Sequence, residues 1–255
     1  MIGKRHEYVQ MAAVEAEHWW FRYLHSQVHS AILRHAGLPP TPAILDAGCG
    51  TGGLLRALQQ AGYTALQGFD ASADAVDFAQ QTTCLPIGTA TLQQSGHLYT
   101  PGSFQVVCCM DVFTYLSDEE IVAALEQFAQ WLPSGGIIIT NNNAFRAFKG
   151  THDYQVGIIK RFVKSDFANY AQQAGLHVLQ NRYWNFYLSP LVWAIRKWKL
   201  LQVHSGLRQA SAVTSDLAMP SPWINQRCYQ LLQAEEKTWR QPPWGTSVFT
   251  VLQKP

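Results

Sequence analysis

Charge is what this chain has least of. Asp, Glu, Lys and Arg make up 14% of its 255 residues, against roughly a quarter in ordinary soluble domains. The 19 basic and 17 acidic residues leave a formal net charge of +2. No run of Lys or Arg exceeds two, and Lys4-Arg5, Lys160-Arg161 and Arg196-Lys197 are the densest places. Nucleic-acid binders carry a basic stripe with interleaved aromatics, so no nucleic-acid partner is expected. No stretch approaches the ~18 apolar residues of a membrane span, and the N-terminus lacks the basic-then-apolar pattern of a signal peptide. A cytoplasmic protein is expected, with membrane contact at most peripheral. The five cysteines are odd in number and show no CxxC spacing. Cys108 and Cys109 are adjacent in an apolar run, where neighbouring side chains point to opposite faces of a strand. They read as reduced core thiols. The histidines are scattered and form no HxxxH beside acids, so no metal site is expected.

What is present is one dense motif. Ile44-Leu45-Asp46-Ala47 is a short apolar run ending near a carboxylate, and Gly48-Cys49-Gly50-Thr51-Gly52-Gly53 follows it into a helical pattern of Leu54, Leu55 and Leu58. A strand that turns through glycine into a helix N-terminus brings backbone N–H groups close to a ligand. Written as Gly48-x-Gly50-x-x-Gly53, the loop also satisfies the dinucleotide fingerprint, a weak match on its own.

Two acids narrow the reading. Asp70 ends the next apolar run, 22 residues after Gly48, where a carboxylate can hold ribose hydroxyls. Asp46 stands two residues before the first glycine and would repel a pyrophosphate. A ligand carrying an α-amino group and a sulfonium would be attracted instead, which describes S-adenosylmethionine; its product, S-adenosylhomocysteine, keeps the α-amino group and loses the sulfonium.

Asp46-x-Gly48-x-Gly50-x-Gly52 with Asp70 resembles the first two motifs of the class I methyltransferases that use S-adenosylmethionine. Gln105–Val112 resembles the fourth strand of that family, and Leu132-Pro133-Ser134-Gly135-Gly136 its turn into the fifth. The resemblance covers roughly Ala43 to Asn141. It implies that Asp46 and the backbone of Gly48, Cys49, Gly50 and Gly52 hold the methionine end of the cofactor. Asp70, with Ala71 beside it, then meets the ribose, and Thr89 and Ala90 lie against the adenine. The family usually has an acid where Thr89 stands. Met110 and Asp111 end the fourth strand at the edge where open sheets bind ligands.

His18-Trp19-Trp20-Phe21 resembles a subgroup of that family with HWWF in an N-terminal cap over the cofactor. Trp19 and Trp20 differ by about 100° around a helix, so both cannot enter one narrow core stripe. Trp20 is assigned to the cofactor site, where an aromatic face beside a sulfonium is electrostatically favourable. The subgroup usually has an arginine where this chain has Leu24. His152-Asp153 before Lys160-Arg161-Phe162, Ser215-Asp216-Leu217, and Gly245-Thr246-Ser247 with Lys254-Pro255 resemble its C-terminal half.

The rest of the chain reads as alternating strands and helices. Trp20, Leu24, Val28 and Ile32 repeat every four residues and predict one helix over Ala12–His35, stopped by Gly37. Ala71-Ser72 caps a helix bearing Val76 and Phe78, and Ile87–Ala90 is a short third strand. Ser117-Asp118-Glu119-Glu120 is a capping box for a helix ending near Trp131. Further predictions are a helix over Ser165–Ala174, a strand over His177–Trp184 and a last strand over Ser247–Leu252. The expected architecture is a Rossmann-like, doubly wound, mostly parallel seven-stranded α/β sheet. One domain is expected: a helical cap over 1–40, a core over 41–185, a helical lid or insertion over 186–244, and the last strand over 245–255. The basic, tryptophan-bearing Leu191–Leu200 piece packs over the active site or meets a membrane surface.

The expected activity is O- or N-methylation of a small molecule, such as a secondary metabolite or a glycan or lipid precursor, by a monomer or homodimer. Alignment in a water-poor pocket does much of the work. A general base is needed if the acceptor arrives protonated, and His18, Tyr115, His152 and Asp153 are the candidates. The competing readings are an NAD(P)-dependent oxidoreductase, for which no YxxxK is present, and a binding-only S-adenosylmethionine protein. The low charge and nine tryptophans fit a weakly charged surface, an apolar pocket, a dimer face or a membrane contact alike.

Overall fold

The computed structural model describes residues 5–35, 37–205 and 218–255, without the side chains of residues 152, 155 and 204. The Ser215–Leu217 pattern therefore lies outside the described residues, as does the side chain of His152. Seven strands form one sheet: β1 (Ile44–Ala47), β2 (Leu66–Asp70), β3 (Ile87–Thr89), β4 (Val106–Met110), β5 (Ile137–Asn143), β6 (His177–Trp184) and β7 (Ser247–Gln253). Their order is β3-β2-β1-β4-β5-β7-β6. The first five strands run parallel, and β7 inserts antiparallel between β5 and β6.

Parallel strands buried on both faces read as continuous apolar runs. Ile44–Ala47 and Val106–Cys109 are of this kind, and all eight of those residues are buried. The intervening helices α3 (Gly53–Gln60), α4 (Ala73–Thr83), α5 (Asp118–Trp131) and α7 (Lys164–Gln173) follow the sequence closely. Ser117 and Glu120 close both bonds of the capping box. Ser72 caps α4 by accepting from Ala75 N–H at 3.4 Å.

Two expectations are corrected. The N-terminal helix is not continuous: it is split into α1 (Arg5–Val14) and α2 (Trp19–Arg34). His18, in extended conformation, caps α2 through Nδ1, which accepts from Trp20 N–H at 3.3 Å. The third strand ends at Thr89 and the fourth at Met110. Ala90 and Asp111 therefore lie just past strand ends, and Asp111 has a positive φ of 58°.

Helices α8 (Ser189–His204) and α9 (Pro222–Thr238) lie between β6 and β7 in sequence. Asn225 of α9 accepts from Trp19 N–H and donates to Glu17 O, each at 2.8 Å, which fixes the turn between α1 and α2. Glu235 of α9 accepts from the N–H groups of Phe186 and Tyr187 at 2.7 and 3.0 Å, just ahead of α8. The short helix α6 (Thr151–Val156) follows β5. Among the described residues, no helix is long and apolar enough to cross a membrane.

Gly245 precedes β7 where the chain crosses the backbone of Trp184, and a Cβ there would overlap the Trp184 carbonyl. Both partners are main chain, so neither can rotate aside. Gly245→Ala is expected to cost at least the 1–3 kcal/mol or so of an overpacked core, read as a lowered midpoint in denaturant. An unchanged midpoint would mean that the crossing is loose.

Candidate active site

The carboxyl ends of the parallel strands open into a cavity of about 710 Å³, within the roughly 300–1,000 Å³ common for ligand sites. One half is built on β1 and β2. Gly48 takes φ +80°, and a Cβ on it would strike the Val112 side chain, so the turn requires glycine. The N–H groups of Gly48 and Cys49 donate to Phe69 O at 2.8 and 3.0 Å. Gly50 N–H donates to Asp70 Oδ2 at 3.0 Å, and Ser72 N–H to Asp70 Oδ1 at 2.9 Å. The two backbone donors orient the Asp70 carboxylate while burial pushes its pKa up.

Asp46 lines the same half and is almost fully buried. Its Oδ1 has no hydrogen-bond partner among the described residues. Burial, then the nearby charges of Glu15 and Asp70, raise its pKa well above the usual carboxylate range. A buried carboxylate with an unmet acceptor calls for a cation or N–H donor.

Glu15, in the break between α1 and α2, reaches the glycine loop. It accepts from the Thr51 hydroxyl and, at 3.2 Å, from Gly53 N–H. The protein thus places its own carboxylate at the N-terminus of α3, where a dinucleotide's pyrophosphate would otherwise sit. An anion is repelled there. This residue was not anticipated, because it falls inside what reads as a continuous helix.

Burial pushes the Glu15 carboxyl up to about 7. Its folded pKa lies above its unfolded one, so its contribution to stability is full below about pH 4.5 and is lost as pH rises through about 7. Relative to Glu15→Gln, the native chain is expected to lose up to about 3 kcal/mol between pH 5 and 8. Parallel melting curves for the two proteins across that range would contradict this.

A polar chain crosses the middle of the sheet. Trp184 Nε1 donates to Asn141 Oδ1 at 2.8 Å, and Asn141 Nδ2 donates to Asp111 Oδ2 at 2.9 Å. Trp20 stacks on Trp184 with ring centres 5.5 Å apart, so the N-terminal cap rests on this chain. Burial pushes Asp111 up to about 7.

Of the residues read from sequence, the structure brings Trp20, Asp46, Gly48, Cys49, Gly50, Asp70, Ala71, Ala90, Met110, Asp111, His18 and Tyr115 to the cavity wall. Three others are not on that wall. Gly52 caps α3 against Ala79 and Thr83. Thr89 pairs with Asp70 in the sheet, with its side chain exposed. Asp153 is buried behind Arg161, accepting from its Nε at 2.6 Å and from Gly150 N–H at 2.9 Å. Asp153 serves the cavity by holding that arginine.

A sequence profile described as "Methyltransferase domain" matches residues 18–181. The chain belongs to this methyltransferase family. A relative named Ubiquinone biosynthesis O-methyltransferase, from Methylococcus capsulatus, is 31% identical over 168 residues, 57% of this chain and 67% of the relative. Among solved structures, the methyltransferase in complex with the Trm112 methyltransferase activator of Haloferax volcanii aligns at TM-score 0.58 and 21% identity. That alignment covers 98% of this chain and 97% of the other. Geranyl diphosphate C-methyltransferase from Streptomyces coelicolor, solved with S-adenosyl-L-homocysteine, aligns at TM-score 0.57 and 13% identity, covering 90% of this chain and 76% of that one. The shared fold is that of the class I methyltransferases.

The other half of the methyltransferase's cavity includes Asn143 and Asn185, which sequence reading did not single out, with Arg161, Thr246 and Ser247 from the C-terminal patterns and Arg196 and Lys199 from the Leu191–Leu200 piece expected over the active site. Asn143, Asn185, Thr246 and Ser247 sit at the ends of β5, β6 and β7, and Arg161, Arg196 and Lys199 line the wall above them. Asn185 Nδ2 donates to Thr246 Oγ1 at 2.7 Å. Among the described residues, no cluster of His, Cys, Asp and Glu is placed to hold a metal ion.

Proposed function

We propose that this methyltransferase transfers the methyl group of S-adenosylmethionine to an oxygen or nitrogen of a small, partly apolar molecule, as a cytoplasmic enzyme. The observation that carries the donor assignment is the buried Asp46 Oδ1, without a partner among the described residues, beside the Asp70 carboxylate. The residues fit the group: Asp46 and the Gly48–Gly50 turn suit an α-ammonium, and Asp70 has the charge and exposure to accept from ribose hydroxyls. Ala71, Ala90 and Leu92 offer apolar wall for an adenine. The acidic loop, with Glu15 at the N-terminus of α3, speaks against the oxidoreductase reading.

When bound, S-adenosylmethionine would supply an electrophilic methyl group for a lone pair of the acceptor. The protein's task is then to align the acceptor, exclude water and receive a proton. We assign Asp111 as the proton acceptor. It lies on the cavity wall at the end of β4, between the two halves, and its carboxyl is poised near neutrality. Tyr115 is ill-suited to receive the proton, because burial raises its pKa and keeps the phenol protonated. Burial holds the His18 imidazole near 4, and its Nδ1 is spent on capping α2. Asp153 positions Arg161. His152 keeps its place as a candidate on sequence grounds.

His18–Phe21 lines the cavity, which supports the HWWF-cap subgroup and a cap role for the N-terminal helices. Val192, Ile195, Arg196 and Lys199 of α8 close the opposite wall, which supports a lid role for the 186–244 insertion. The O-methyltransferase relative favours oxygen as the methylated atom.

Calorimetry with S-adenosylmethionine, S-adenosylhomocysteine and NADH tests the donor. Micromolar binding of the first two is expected; tight NADH binding, with none of either, would overturn the reading.

A further inference from the structure

One amide on the acceptor side of the cavity has an oxygen without a donor. Asn185 lines the wall just past the end of β6 and is 2% exposed. Its Nδ2 is committed to Thr246 Oγ1, at 2.7 Å. Its Oδ1 is buried and has no hydrogen-bond partner among the described residues. A buried carbonyl oxygen left unpaired is destabilising, and a donor on a bound molecule removes that penalty.

Several contacts hold this amide in place. Asn185 adopts a φ of 64°, a left-handed conformation that asparagine tolerates better than most residues. The buried Glu235 of α9 accepts from its N–H and from those of Phe186 and Tyr187. Thr246 is tied to the end of β5, because Ala144 N–H donates to Thr246 O at 2.9 Å. Gly245 crosses the Trp184 backbone one residue before each of the two partners. Main chain thus fixes both ends of the Asn185–Thr246 bond, and Oδ1 is set in direction before any ligand arrives.

Its place on the sheet decides which ligand it meets. The order β1-β4-β5-β7-β6 puts four strand spacings between Asp46 on β1 and the end of β6, roughly 19 Å at about 4.8 Å each. A cofactor held at Asp46 and Asp70 lies on the far side of Asp111. Asp111 itself, just past β4, is three spacings from β6, roughly 14 Å. Asp111 and Asn185 therefore meet different groups of one molecule. Asn143 and Ser247 stand at the strand ends between them, with Val192 and Ile195 as apolar wall.

We propose that Asn185 is a specificity-determining residue for the methyl acceptor. Its Oδ1 accepts a hydrogen bond from a hydroxyl or N–H that the acceptor carries besides the group that is methylated. This rests on the methyltransferase reading above, because it takes the β1–β2 half as the cofactor's. A site built this way rejects an analogue without the donor, since the carbonyl is then left unpaired.

The probes are 2,6-dihydroxynaphthalene, 6-methoxy-2-naphthol and 2-naphthol, titrated calorimetrically with and without S-adenosylhomocysteine. The ether oxygen accepts but cannot donate, and 2-naphthol lacks the second oxygen. The native protein is expected to bind the diol about fivefold or more tighter than either of the others. Asn185→Gly removes the carbonyl and keeps the backbone, because glycine takes positive φ freely. It is expected to bind all three probes within about twofold of one another and to keep native affinity for S-adenosylhomocysteine. Asn185→Asp keeps an acceptor oxygen toward the cavity while Thr246 donates to the other, so it is expected to retain the preference. The proposal is overturned if the native protein binds diol and ether equally or fails to bind the diol. A preference that survives in Asn185→Gly, or is lost in Asn185→Asp, overturns it as well. Failure of S-adenosylhomocysteine to bind would instead overturn the cofactor reading, while the diol preference stays measurable in the same titration.

Discussion

Asp70→Ala is expected to weaken binding of S-adenosylmethionine and S-adenosylhomocysteine by about 1–3 kcal/mol, five- to 150-fold. The carboxylate sits at the end of β2, and its oxygens already accept from Gly50 and Ser72 N–H at 3.0 and 2.9 Å. Those bonds fix its direction, so little ordering is left to do when the ribose arrives. The substitution also frees Gly50 N–H, so loop distortion must be separated from lost contact. Asp70→Asn separates them, because its one oxygen keeps the Gly50 N–H bond while the charge and the Ser72 N–H bond are lost. An intermediate affinity is expected for Asn, with a melting temperature between those of Asp70→Ala and the native protein. Full affinity in both variants would move Asp70 to a purely structural role.

The second large effect is on stability. Arg161→Met is expected to cost about 3–5 kcal/mol, because it leaves Asp153 charged in a site with no exposure. For a chain of this size that lowers the melting temperature by roughly 6–20 °C. Burial alone would raise the Asp153 pKa, but the hydrogen bond and charge of Arg161 hold it below the usual carboxylate range. Adding Asp153→Asn to Arg161→Met removes the stranded charge and is expected to recover most of the loss. A loss below about 1 kcal/mol in the single variant would show a pair behaving as if exposed to solvent.

The donor half of the cavity was legible because its signals are local. The strand, the glycine turn and the next strand's terminal acid fall within 27 residues, Ile44 to Asp70, and each has a backbone reason. The capping box at Ser117–Glu120 and the β6 limits His177–Trp184 were readable on the same grounds. The break before α2 was not, because its cap is a histidine, whereas Ser, Thr, Asp and Asn are the usual caps. The repeat of Trp20, Leu24, Val28 and Ile32 begins only after the break and so gave no sign of it. Glu15 was hidden with that break.

The acceptor half was legible only in pieces, the Leu191–Leu200 segment and the Gly245–Ser247 pattern among them. Asn143, Arg161, Asn185, Arg196 and Thr246 are spread over about a hundred residues of sequence. They meet because β7 returns between β5 and β6, setting those strand ends side by side, and α8 lines the same cavity. Nothing in local periodicity encodes that return. The Asn141-Asn142-Asn143 run was a signal available in the sequence. Three amides closing an otherwise apolar strand mark a polar end, and Asn141 proves to join Trp184 to Asp111.

The central claim is that one cavity holds the methyl donor over β1 and β2 and leaves the β5–β7 half to the acceptor. A crystal structure with S-adenosylhomocysteine tests it most directly. The account predicts ribose hydroxyls on Asp70, the ammonium group at Asp46, and Trp20 closing over the ligand, with Arg161, Arg196 and Lys199 untouched. Density for the ligand among those three cations, or outside the cavity, would contradict it.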